Sequence, residues 1–128
     1  MSTEHIYLKD LHAEHKEWTN EMSLYKEELT SFENRLGEVV SRNTNTEVLA
    51  TLEHLQNSMI RHKEVIDEIN HHIGVHEQKL AKYAEENQTA IDRKYFEDHP
   101  GLRDKVETER KLFTELKEET LAYLAKVL

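Results

Sequence analysis

Residues 8–39 read LKDLHAEHKEWTNEMSLYKEELTSFENRLGEV, and this stretch decides the fold. Within it Leu8, Leu11, His15, Trp18, Met22, Tyr25, Leu29, Phe32, Leu36 and Val39 recur in alternating steps of three and four. That spacing keeps a seam on one side of an α-helix, while Glu, Lys and Asn take the other faces. The helix it implies has about 40 residues and a length of about 60 Å. Gly37 lies off the seam, where it weakens or bends the last turns.

Downstream, Ser41-Arg42-Asn43-Thr44-Asn45-Thr46 favours caps and turns over helix interiors. Thr44 and Glu47 have the spacing of a capping box, which starts a second helix. Its stripe is Val48, Leu52, Leu55, Met59, His62, Ile66, Ile69, Ile73, His76, Leu80 and Tyr83, and the register passes through Gly74 without a slip. The stretch Glu86-Asn87-Gln88 ends it. Thr89 to Glu97 is expected to connect, with one short helical turn and with Ile91, Tyr95 and Phe96 covering the open end. His99-Pro100 reads as a third start, because proline is tolerated in a first turn. The third stripe is Leu102, Val106, Glu109, Phe113, Leu116, Thr120, Tyr123 and Val127.

The expected fold is all-α. It is one antiparallel three-helix bundle domain over residues 1–128 with coiled-coil-like heptad packing, long helices at about 3–42 and 45–87, a helical connector at about 90–97 and a shorter helix at about 100–127. With only three glycines and one proline, many-turn β architectures are excluded. A short third helix would leave Leu29, Phe32, Leu36, Leu52 and Leu55 in water, so a homodimer with a four-helix core is expected to cover them.

A formal charge of −9 makes nucleic acid and anionic membrane surfaces poor partners. There is no cysteine, hence no disulfide, thiolate metal site or thiol nucleophile. The first ten residues carry both acid and base where a signal peptide needs an apolar run, and no window approaches a membrane span, so a cytoplasmic protein is expected. No phosphate loop or nucleophile elbow is present, and enzyme chemistry is the less supported reading.

Four ionisable residues interrupt the stripes: His15, His62, His76 and Glu109. If partners on helices one and two have numbers summing to about 89, and on helices two and three to about 186, then His15, His76 and Glu109 share one layer, whereas a second helix running on to residue 97 would bring Glu119 or Thr120 there in place of Glu109. His12 and His72 flank it, and His72 with His76 points two imidazoles in one direction from an i, i+4 pair. His62 is expected to be a core histidine bonded by Tyr25 or Tyr123. His5, His54, His71 and His99 are read as surface or cap residues.

Two functions are open. One is a structural or protein-interaction module in which the layer is hydrogen-bonded and sets register. The other is a site for one or two divalent ions (Fe, Mn, Zn or Cu) made by His15, His76 and Glu109 with His12 and His72 in reserve, for sensing, storage or oxygen chemistry. Leu11 to Lys16 together with His72 and His76 is faintly similar to hemerythrin-type bundles, but no position carries the His-x-x-x-Glu pairing those sites also use. A ferritin-like site needs two Glu-x-x-His motifs, and only Glu68 to His71 has that form. Neither family is assigned.

Overall fold

The computed structural model describes residues 6–87, 90–91 and 99–127. Three helices, α1 (Leu8–Arg42), α2 (Thr46–Asn87) and α3 (His99–Val127), pack as an all-α bundle, and the two-residue strands β1 (Ile6–Tyr7) and β2 (Ala90–Ile91) pair antiparallel at one end. Among the described residues no helix is long and apolar enough to cross a membrane.

The strand pair corrects two boundaries. Residues 6 and 7 are extended rather than helical, so α1 starts at Leu8 and not near residue 3, and residues 90 and 91 are not part of a helical connector. The ladder between them supplies the backbone partners that a helical turn would have supplied internally. The rest of that connector, with Tyr95 and Phe96, lies outside the described residues.

At the opposite end the turn is as short as the polar cluster implies, but the cap is one residue later than expected. The Asn45 side-chain oxygen, not Thr44, accepts the backbone N–H groups of Glu47 and Val48, at 2.9 and 3.2 Å. Asparagine and threonine compete for the same free donors at a helix start, and asparagine is the stronger cap. On the other side of the turn the Asn43 amide donates to the Val39 carbonyl at 2.7 Å and closes the last turn of α1.

The stripes form the core. Met22, Leu29, Leu36, Leu52, Leu55, Met59, Ile66 and Val106 are fully buried, and Trp18, Phe32, Ile69, Phe113 and Leu116 join them in one apolar cluster. Tyr25 stacks on Phe113 with ring centroids 4.1 Å apart, which ties α1 to α3.

The helices differ from expectation in height. His76 lies beside His99, and His62 bonds Glu109, so α2–α3 partner numbers sum to 175 and 171 instead of about 186. Helix α3 therefore begins about 16 Å back from the end of α2, eleven residues at 1.5 Å each. Its far end is carried the same distance toward the α1–α2 turn, where Leu121, Leu124 and Ala125 line one cleft with Arg35, Val39 and Arg42. As a result Leu29, Phe32, Leu36, Leu52 and Leu55 are none of them more than 7% exposed in a single chain. The apolar strip that called for a second copy is covered by α3 itself.

A ladder of ion pairs marks the register between α1 and α3, which run parallel. Arg103 donates to Glu14 at 2.8 Å, Arg110 to Glu21 at 2.8 Å and Lys117 to Glu28 at 3.2 Å, each pair 89 residues apart and each rung seven residues from the next. Seven residues are two helical turns, so the rungs stand in one line beside the apolar seam. The Arg110 guanidinium is the main cause that holds the Glu21 carboxyl below its usual range, against the effect of burial. This rung therefore stabilises the fold above the ordinary carboxylate range and is lost as acid protonates Glu21. The Tyr25 hydroxyl also donates to Glu21, at 2.9 Å, and burial first and this bond second push the phenol up to about 12.

Gly74 sits inside α2, and a methyl group built on it would meet nothing within 4 Å. Gly74→Ala is expected to raise the unfolding free energy by about 1 kcal/mol, through helix propensity and a less flexible unfolded chain. Urea denaturation would show this as a higher midpoint at unchanged slope, and a lower midpoint would mean that the local helix geometry needs glycine.

Candidate metal centre

His15 enters the core two turns into α1, His76 comes from α2, and His99 is the first residue of α3. The back-shifted start of α3 brings the third imidazole to the other two. All three are buried, at 1%, 5% and 2% exposure. One ligand nitrogen from each lies within 4.8 Å of the other two, and this is the one such group of ligand-type side chains found among the described residues. Ring centroids are 4.9 Å apart for His15 and His76, 5.0 Å for His15 and His99, and 5.7 Å for His76 and His99. Trp18 stacks on His99 at 4.9 Å and closes one side of the cluster.

Two of these rings are backed by carboxylates. His15 Nδ1–H donates to Glu77 Oε1 at 2.5 Å, and His99 Nε2–H donates to Glu14 Oε1. Glu77 also accepts from His12 Nδ1 at 2.7 Å, and Glu14 from Arg103. Burial would raise the Glu14 carboxyl, but the hydrogen bonds from Arg103 and His99 outweigh it and hold the group below its usual range. Burial is also the main cause that lowers His15 and His99, more strongly than Glu77 and Glu14 raise them. Both imidazoles are thereby kept neutral near pH 7.

Tautomers follow from this arrangement. An ionised carboxylate only accepts, so each ring spends its single N–H on its glutamate. The nitrogens left bare are His15 Nε2 and His99 Nδ1, and they face each other at 3.1 Å. Two lone pairs at that distance repel unless a proton or a cation lies between them. Two nitrogens bound tetrahedrally to one ion at 2.0–2.1 Å would be about 3.3 Å apart, close to the separation seen. The ligand nitrogens of all three rings lie within 4.8 Å of one another, so the His76 nitrogen closes by at most about 1.5 Å to join them on one ion.

Of the sequence-derived ligands, His15 and His76 meet in the cluster. Glu109 does not reach it: ten residues along α3 from His99, it is bonded instead to His62 Nδ1 at 2.6 Å. The reason is the height of α3, which lowers Glu109 by about two heptads relative to α2. His12 is exposed and bonds Glu77 rather than the cluster centre. His72 is exposed beside His76, at the edge of a cleft. His62 has Glu109 as its partner, where Tyr25 or Tyr123 was expected.

Three residues of the arrangement escaped the sequence reading: His99, Glu77 and Glu14. For His99 a signal existed, since one further step of three back from Leu102 along the third stripe lands on it. Glu77 and Glu14 each neighbour a seam histidine in sequence, on helices where such acids are abundant, so nothing local distinguishes them. Comparison of the chain with protein-family models, curated proteins and solved structures finds no match.

Proposed function

We propose that this protein binds one divalent transition-metal ion between its three helices, with His15 Nε2, His99 Nδ1 and the His76 imidazole as ligands. The observation that carries this reading is that His15 Nε2 and His99 Nδ1 face each other at 3.1 Å, each on a ring whose other nitrogen bonds a carboxylate. Ligating histidines characteristically donate their second N–H to a carboxylate, which orients the ring and raises its basicity. Neutral imidazoles suit zinc, copper, iron or nickel better than magnesium or calcium. Glu77, together with Glu14 and its Arg103 partner, offsets part of the two positive charges of such an ion.

The test uses untagged protein purified without chelator, then stripped and titrated with Zn²⁺ or Co²⁺. One ion per chain is expected, with a change in the fluorescence of Trp18, the chain's one tryptophan, which stacks on His99. The melting temperature should rise with metal and fall on addition of EDTA. A protein that takes up no ion and melts identically with and without EDTA would instead mark the cluster as a hydrogen-bonded core layer that sets register.

A further inference from the structure

Beside His76 a cleft of about 340 Å³ opens to the surface between α2 and α3, lined by His72, Val75, His76, Lys79, Gly101, Leu102 and Lys105. Its lining holds two lysines and two histidines and no acid, in a chain with 26 acidic and 17 basic side chains. The local sign of charge is thus opposite to that of the molecule. The buried His76 imidazole belongs both to this lining and to the three-imidazole cluster, so the cleft reaches the cluster at His76. Around the other two rings stand side chains already described: Glu77 behind His15, Glu14 and Arg103 behind His99, and Trp18 stacked on the His99 ring.

We infer that the cleft is a binding site for a small oxyanion of the carboxylate or phosphate class, which ligates the metal ion past His76 while Lys79 and Lys105 balance its charge at the mouth. Three protein ligands leave an ion of this kind at least one further coordination position, which water or an anionic substrate takes. The volume is at the lower end of that of small-molecule sites, which suits a compact anion and excludes a polymer. Both lysines are exposed, so their attraction is partly screened and should weaken with salt. The inference rests on the metal reading above, and the experiment separates the two.

Protein loaded with Co²⁺ would be titrated with sodium acetate and with sodium phosphate at constant ionic strength, with the visible cobalt bands as readout. A saturable change in those bands is expected with at least one anion, and the responding anion identifies the class. The double variant Lys79→Ala/Lys105→Ala should load cobalt normally but bind the anion about fivefold more weakly. Lys82→Ala, an exposed lysine outside the cleft, should match the parent. Cobalt bands that form on loading but respond to neither anion would overturn the anion site and leave the metal reading standing. An equal response in the double variant would overturn the role of the cleft. If no cobalt bands form, the metal reading fails and the anion site fails with it.

Discussion

Replacement of His99 by alanine is expected to abolish stoichiometric metal binding, with Zn²⁺ affinity falling by more than about 100-fold. Loss of an outer carboxylate alone typically costs 10- to 100-fold, and His99 is placed as a direct ligand. The effect should be largest at this residue because it supplies one of the two nitrogens that already face each other at 3.1 Å. His99 also fills core space and packs on Trp18, so its variant will lose stability as well as affinity. Glu77→Gln and Glu14→Gln provide the separation. Each keeps the shape of the site and leaves all three imidazoles in place, and each should lower Zn²⁺ affinity by about 10- to 100-fold while the helical content stays unchanged. Competition against a chromophoric chelator measures all three variants. Glutamine variants that bind zinc as tightly as the parent would mean that the carboxylates do not orient ligands, and the tautomer argument would fall with them.

The second large effect is expected one and a half heptads further along α3. Glu109 is 2% exposed, between the core residues Val106 and Phe113, and the partner found for it is His62 Nδ1 at 2.6 Å. His62→Ala should lower the unfolding free energy by about 3 kcal/mol, because it leaves a carboxylate in the core without its hydrogen-bond donor. For a domain of this size that is a fall of about 10–15 °C in melting temperature. The double variant His62→Leu/Glu109→Leu should recover most or all of the loss, since well-packed apolar side chains of similar volume replace buried ion pairs at little or no cost. Urea denaturation of the parent, the single variant and the double variant forms the test. A single variant within about 0.5 kcal/mol of the parent would show that the cleft beside Glu109 hydrates the carboxylate well enough to make the pair dispensable. Metal affinity should be unaffected in both variants, because this pair lies about 15 Å along α3 from His99.

These two sites illustrate how far the sequence reaches. The seam positions with described side chains are buried or half-buried, including the polar ones: His15, His76, Glu109 and Thr120 lie in the core, and His62 is partly covered. That His15 and His76 share a layer also followed from the sequence, because the α1–α2 turn is short and its position is marked by a cluster of cap-forming residues. The choice of Glu109 as their companion assumed an α3 that starts level with the end of α2. His99 falls outside the stripe that starts at Leu102, and on the sequence alone it therefore reads as a surface or cap residue.

From the amino-acid order alone came the three helices, the faces they bury and the ionisable groups of those faces other than His99. These are consequences of local periodicity, and a spacing of three and four residues admits one solution per helix. The height of α3 against the α1–α2 hairpin was decided only in the tertiary structure. A seven-residue pattern looks the same after a slide of one or two repeats, so apolar packing by itself barely discriminates between heights. What does discriminate is long-range and polar: the rungs from Glu14 to Arg103, Glu21 to Arg110 and Glu28 to Lys117, the pairing of His62 with Glu109, and the meeting of His15, His76 and His99. The histidine cluster and the His62–Glu109 pair satisfy hydrogen-bonding groups that a different slide would leave buried without partners, and that cost, with a smaller contribution from the solvent-exposed rungs, selects one height among several with equivalent apolar contact.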